Sequence, residues 1–319
     1  MTVRAYAPAS IGNFAAGFDL LGAALAPRDG SLWGDVVAVR PAEGDAPSLT
    51  ASGPFAGQLP ADPEDNLVLR SFALYREELR RRGVPCPPLA FHLEKNLPLC
   101  SGLGSSGSSI AATLTACQAF LGSPLGRDEL LAVAGHAEGL VAGMAVLDNV
   151  VPCLRGGLQL LVPNRNGLPQ AMPLPWPEDL ILAMISPVYQ LATERSRRAL
   201  PGAISIPEAV SFAQNLAGFV LAVETGDREI LRRCLRDVLA EPHRAPLVPG
   251  FRAAQTAALA AGALGCTLSG SGPAIFAVAE DEPQAQAVAG AMQEALAAAG
   301  LDSTVRLCGI DPCGARILP

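Results

Sequence analysis

The chain has 319 residues, enough for one large domain or two of ordinary size around a substantial core. Its 23 basic residues against 30 acidic ones leave a net charge of −7, which argues against a nucleic-acid partner and favours a small-molecule substrate. The eight cysteines are scattered without a CxxC pair or a histidine at zinc spacing, so they read as small buried hydrophobes in a reducing compartment.

Along the chain, Val3, Ala5 and Ala7 alternate with Arg4 and Tyr6 and predict a strand; Asp35 to Arg40 predicts a second. The N-terminus has no basic stretch followed by a clean apolar run, because Asp19 interrupts it, so no signal peptide is expected and a cytoplasmic location is. Between the two strands a loop carries Asn13 and Asp19. A carboxylate within the apolar setting of residues 14–25 is costly unless paired, so Asp19 either meets a cation or caps a turn. Asn66 precedes the periodic run Leu67 to Arg82, a helix closed by Gly83 whose basic end suits the helix dipole, and Asn66 can serve as its cap. Leu89, Phe91 and Leu93 alternate with His92 and Glu94 in a strand, with His92 on the polar face.

The stretch Pro98-Leu99-Cys100-Ser101-Gly102-Leu103-Gly104-Ser105-Ser106-Gly107-Ser108-Ser109 then runs directly into the apolar series Ile110, Ala111, Leu114 and Ala116. A glycine-serine loop that opens a helix leaves backbone N–H groups pointing outward at the positive end of the helix dipole, a setting for phosphate. No charged residue occurs from Asn96 to Gly126, so main-chain amides and serine hydroxyls must hold the anion, with cationic help from elsewhere in the fold. A P-loop needs Gly-Lys-Ser/Thr, yet the single lysine is Lys95, after Glu94; the His-Arg-Asp and Asp-Phe-Gly signatures of protein kinases are missing as well. The glycine spacing at 102, 104 and 107 follows Pro98 and a charged strand, unlike a dinucleotide fold.

Arg127 to Met144 predicts a helix in which Glu138 is the lone acidic residue between Glu129 and Asp148, among small neighbours that allow close approach of a ligand. His136, two residues earlier, points to another side of the helix. After Asp148-Asn149-Val150 comes a strand over 156–162, then a proline-rich stretch over 163–177 suited to lobe-joining or hairpin turns. A buried strand over 180–185, helices over 208–223 and 227–239, and the segment Glu241-Pro242-His243-Arg244 follow. Helix, glycine turn, strand, helix and strand over 253–261, 269–273, 274–279, 285–299 and 303–308 complete the chain. The uncharged span 253–279 is long enough to cross a bilayer, but its Gly, Ser, Thr and Pro content divides it into helix, turn and strand.

Pro98 to Gly107 resembles the central phosphate-binding motif of the GHMP kinases, the family of galactokinase, homoserine kinase, mevalonate kinase and phosphomevalonate kinase. Residues 7–19, A-P-A-S-I-G-N-F-A-A-G-F-D, resemble the opening motif of its homoserine kinase branch, and Leu268 to Pro273 resembles the third family motif. The resemblance covers nearly the whole chain. It implies an α+β, two-lobed GHMP kinase fold, with an N-terminal ribosomal-S5-like, ATP-binding lobe over 1–162 and a C-terminal ferredoxin-like lobe over 163–319. It implies ATP as donor, held by Asn66, Pro98, Ser101, Gly102, Leu103, Gly104, Ser105, Ser106 and Gly107. Mg²⁺ would be carried by Glu138 with Ser106, which suits a cation that takes few protein oxygens beside phosphate and water. The acceptor would be L-homoserine, phosphorylated on its side-chain hydroxyl in a step of threonine biosynthesis. Asn13 and Asp19 would take its ammonium group, Arg197 and Arg244 its carboxylate, and Gly270 and Gly272 would close over it, with Arg195 and Arg198 facing solvent. Asp148 and Thr193 stand in suggestive places, neither of them marked out as a general base.

Val146 stands where many homoserine kinases carry histidine, which keeps another small hydroxylated acid or amino acid open as acceptor. A catalytically silent nucleotide sensor would retain the same glycine motifs. A serine hydrolase lacks its GxSxG and a well-placed histidine. Neither nucleic acid nor membrane is expected as a partner, and the sequence leaves a homodimer open.

Overall fold

The computed structural model describes residues 2–142, 146–164 and 167–319. Two sheets organise an α+β fold. The five-stranded sheet runs in the spatial order Arg316–Leu318, Val3–Pro8, Gly34–Pro41, Leu89–Glu94, Ser48–Ser52, antiparallel except for the last pair. The helix Ser105–Phe120 lies across its first two long strands, with helix Leu67–Arg81 alongside. Small and aliphatic residues almost all the way round, among them Ile110, Ala111, Ala112, Leu114 and Ala116, bury the Ser105–Phe120 helix as the centre of this half.

The second sheet is antiparallel and follows the order Gly265–Leu268, Ile275–Ala279, Ile181–Pro187, Ser303–Ile310, Leu21–Pro27, Leu158–Val162, Gln170–Leu174, with Ser10–Gly12 paired to Leu21–Pro27. Its first four strands, numbered in chain order, stand as 4-1-3-2 from Ser303–Ile310 outward to the edge. With the helices Phe251–Ala260 and Glu282–Ala298 packed together beside them, this is the ferredoxin-like arrangement. The two halves interlock. The proline-rich stretch forms the Leu158–Val162 to Gln170–Leu174 hairpin within this sheet, and the final strand returns to pair with the first. Residue 162 is therefore not a break between layers.

Most predicted elements form within a few residues of their expected bounds. The helix over 227–239 does not: it ends at Cys234, because the Asp237 carboxylate accepts from the N–H groups of Leu239, Ala240 and Glu241 and starts a new short helix, Glu241–Arg244. The helix expected to reach Met144 is described as Arg127–Ala142, and Met144 lies outside the described residues. The uncharged span 253–279 is helix, strand and strand. Helix Ile206–Thr225 is long and apolar enough to cross a membrane by length and composition, with 22% of that window buried.

Candidate active site

Backbone conformation builds the phosphate loop. Gly102 and Gly104 sit at φ of +80° and +61°, a left-handed region that favours glycine, and a Cβ on Gly104 would fall 1.9 Å from Ser10 Oγ. Gly104 is the cap residue of helix Ser105–Phe120 and supplies no side-chain acceptor, so the first-turn N–H groups remain for a ligand. The third glycine motif braces the loop from behind. Ser269 Oγ donates to the Gly102 carbonyl at 2.6 Å, and a Cβ on Gly102 would meet the carbonyl oxygens of Ser269 and Gly272 at 2.6 and 2.9 Å.

Beneath this loop lies Lys95, to which the sequence alone assigns no role. Lys95 (2% exposed) and Asp35 (0%) form a buried ion pair. Lys95 Nζ also donates to the Ser105 carbonyl at 3.2 Å and to Ser109 Oγ at 3.0 Å. Asp35 accepts in addition from the N–H groups of Asn96 and Leu97 and from Ser109 Oγ, so both ends of the loop hang on one carboxylate. Being the only lysine, immediately after a strand that points at the loop, is the signal by which Lys95 could have been found.

Glu138 reaches the loop from helix Arg127–Ala142, where Ser106 Oγ donates to its Oε1 at 2.9 Å. Its Oε2 is buried and has no hydrogen-bond partner. Burial pushes the Glu138 carboxyl up to about 7 against the pull of the Ser106 hydrogen bond, and the Asp148 carboxylate adds to the rise. An orphaned, proton-holding carboxylate beside a serine hydroxyl and a phosphate loop fits a hard divalent cation such as Mg²⁺, which takes few protein oxygens. Among the described residues no group of three or more His, Cys, Asp or Glu could hold a metal on its own.

At the other end, residues 13–15 take positive φ in succession, and Phe14 anchors the turn in an aromatic cluster with Trp176, Phe219 and Phe276. That turn aims Asn13 into the site. Its N–H donates to Asp148 Oδ2 at 2.8 Å, its Nδ2 to the Gly270 carbonyl at 3.2 Å, and its Oδ1 accepts from the Asp19 N–H at 3.0 Å. Arg197 grips Asp19 through both terminal nitrogens at 3.1 to 3.2 Å. Arg244 (4% exposed) donates to the same Gly270 carbonyl at 3.0 Å. Asp148 accepts from Asn13 on one oxygen and from Asn149 Nδ2 on the other, and burial with the nearby Asp19 charge pushes it up to about 7.

One cavity of about 380 Å³ joins these groups, from Leu59, Leu67, Leu99 and Leu140 at its apolar side, past Ser101 to Ser106 and Glu138, to Asp19, Arg197 and Arg244. Residues 66–157 match the GHMP kinases N terminal domain and residues 219–298 the GHMP kinases C terminal domain. A crystal structure of homoserine kinase from Cytophaga hutchinsonii is 34% identical, covering 99% of this chain and 97% of that one at a TM-score of 0.91. The chain belongs to the GHMP kinases. Mevalonate kinase from L. major, in complex with R-mevalonate (16% identity, 95% and 94% covered, TM-score 0.66), shares the fold. So does D-glycero-D-manno-heptose 1-phosphate kinase from Bacteriodes thetaiotaomicron (19%, 99% and 99%, 0.63). GHMP kinases are phosphotransferases that use ATP as phosphate donor, and the described helices and sheets form their two-lobed fold.

In this kinase Asn13, Asp19, Asn66, Ser101, Gly102, Gly104, Ser105, Ser106, Glu138, Asp148, Thr193, Arg197, Arg244 and Gly270 all line the cavity, as does Val146. Asn66 does both things open to it: it accepts from the Val68 N–H at 3.0 Å as the helix cap and faces the pocket. Four expected site residues turn their side-chain faces away from the cavity, although the Gly107 N–H remains one of the first-turn amides. The Leu103 side chain is in the hydrophobic core, and Pro98 presents its carbonyl to Ser101 Oγ at 2.8 Å. At Gly107 a Cβ would be 3.1 Å from the Val150 backbone, so it serves helix packing; at Gly272 it would face Val248, Leu268 and Leu191, away from the cavity. Arg195 and Arg198 are exposed, and His136 is also on the surface.

Proposed function

We propose that this kinase transfers the γ-phosphoryl group of ATP to the side-chain hydroxyl of L-homoserine, giving O-phospho-L-homoserine. The observation that carries this reading is charge placement. One end of the cavity is a phosphate loop with a carboxylate beside it, and the other holds an acidic and a basic group side by side, Asp19 and Arg197, as a zwitterionic acceptor needs. The full-length likeness to a homoserine kinase at 34% identity supports the same acceptor.

Phosphoryl transfer asks chiefly for alignment and charge neutralisation. In this reading the purine lies against Leu59, Leu67, Leu99 and Leu140. First-turn amides of helix Ser105–Phe120 take phosphate oxygens, and Lys95, its charge balanced by Asp35, fixes the loop from below. Glu138 and Ser106 would hold Mg²⁺, which when bound would neutralise charge on the phosphate oxygens. Asn13 and Asp19 take the acceptor's ammonium group, and Arg197 with Arg244 its carboxylate, which leaves the side-chain hydroxyl to point at the γ-phosphate. Both Asp148 oxygens already accept protein hydrogen bonds, so Asp148 organises Asn13 and Asn149. A loose transition state, in which the hydroxyl proton leaves late, demands little of a base.

Val146 on the cavity wall favours a second acceptor of the same class, a homoserine analogue or another small hydroxylated acid. An ADP-release assay over a panel of hydroxy amino acids and small alcohols separates these: homoserine should lead the panel, and release that depends on none of them would overturn the kinase reading.

A further inference from the structure

Phe14 and Phe18 lie four residues apart in the opening motif and have opposite fates. Phe14 is fully buried among other aromatic rings, whereas Phe18 is half-buried and belongs to none of the hydrophobic clusters that the described residues form. What Phe18 has instead is cations. The Arg197 guanidinium carbon stands 5.9 Å from the centre of its ring and that of Arg244 5.2 Å.

Two guanidiniums converging on one ring repel each other; burial loosens Arg244's hold on its proton, and the Arg197 charge adds to that. Arg197 has the Asp19 carboxylate to offset this. Arg244 is more deeply buried, donates to the Gly270 carbonyl, and keeps its Nε without a hydrogen-bond partner; among the described residues no carboxylate lies within ion-pair distance of it. The negative face of an aromatic ring attracts a guanidinium without competing for it as a carboxylate would, so the charge stays available to an incoming anion. Asp19, next in the chain and at φ +56°, ties the ring's position to the residue that Arg197 grips.

We propose that Phe18 is a positioning residue for the acceptor, its ring holding Arg197 and Arg244 together as one carboxylate clamp. This rests on the acceptor assignment above and adds to it a reason why two arginines can share one small anion site. Phe18 is not among the residues that line the cavity, and the two cations it meets are those assigned to the acceptor, so its effect should fall on the acceptor.

Steady-state kinetics of F18L, F18Y and a protein carrying pentafluorophenylalanine at position 18 test this. The fluorinated ring keeps the shape and reverses the sign of the face. Loss of the ring's attraction in F18L should raise the acceptor KM about tenfold, with the KM for ATP and the melting temperature close to wild type, and F18Y should stay within about twofold of wild type. The fluorinated protein should resemble F18L, which covers the case in which leucine disturbs folding. An unchanged acceptor KM in the fluorinated protein, or an equal rise in the KM for ATP, overturns the proposal. If the wild type phosphorylates a neutral alcohol and no carboxylate-bearing acceptor, the acceptor assignment falls and the clamp with it. If the wild type uses an amino acid and F18L keeps its KM, only the role of Phe18 falls.

Discussion

Arg197 closes on the Asp19 carboxylate with both terminal nitrogens at 3.1 to 3.2 Å, so the two groups assigned to opposite ends of an amino-acid acceptor are each other's partner. About a quarter of each side chain is exposed, which leaves the pair open to competition from solvent and ligand. A zwitterion can replace both halves of that pair at once. A ligand of one charge takes one partner and strands the other, at a cost of about 2–5 kcal/mol.

Removing either charge from the acceptor should therefore be far more damaging than its size suggests. Both 4-hydroxybutyrate and 3-amino-1-propanol should show kcat/KM about 100-fold or more below that of L-homoserine. Comparable values for all three compounds would mean that the pair does not open for the acceptor.

The protein side of the same contact gives a matching expectation. Arg197→Leu should raise the acceptor KM by about 100-fold and leave the KM for ATP nearly unchanged. A defect confined to ATP would place the clamp elsewhere.

Glu138 and Asp148 both hold their protons to about 7 in the folded chain, above their ordinary values. The folded state then binds more protons than the unfolded one, so these groups should lower stability as pH rises from the ordinary carboxylate range through 7, and Glu138→Gln should flatten that decline in urea melts. Mg²⁺ must displace the Glu138 proton. Apparent Mg²⁺ affinity in the assay should rise between pH 6 and 7 and level off above, while Glu138→Gln should lower kcat about 100-fold or more. Unchanged activity of Glu138→Gln across a magnesium titration would count against the metal assignment.

The Lys95–Asp35 pair should matter to folding as well as to phosphate. Lys95→Met leaves a buried carboxylate with three other donors, and should cost about 3 kcal/mol in urea unfolding, the lower end for breaking a buried pair. A loss below about 1 kcal/mol would show the pair to be incidental.

Val146 faces the cavity where an imidazole would add a polar contact. Val146→His should lower the acceptor KM a few-fold if that contact is to the acceptor, as one neutral hydrogen bond would. An unchanged KM would make Val146 a packing residue.

Phosphate chemistry was written locally in the chain, and so was legible: glycines at 102 and 104 and the direct entry into a helix require only neighbours in sequence to be understood. The pairing of Ser106 with Glu138 was implied only by the family resemblance; the sequence itself showed Glu138 as an isolated acid among small residues. Lys95 escaped because its partner, Asp35, lies 60 positions away in the first sheet, and a lysine beside a glutamate reads as a surface pair until the strand register brings Asp35 beneath the loop. The fate of Leu103 and Gly272 was hidden for a similar reason. Motif membership says that a residue is needed, but whether its side faces the cavity or the core depends on the sheet behind it. The early end of the helix after Asp227 turned on one side chain, Asp237, capping forward in place of extending the run.

The central claim meets its most direct test in phosphorus NMR of a reaction containing the kinase, ATP, Mg²⁺ and L-homoserine. The account predicts a new phosphomonoester resonance on the homoserine side-chain oxygen, growing in step with ADP and absent when homoserine is left out. ADP forming with inorganic phosphate alone, or a phosphomonoester that appears only with a different alcohol, would contradict it.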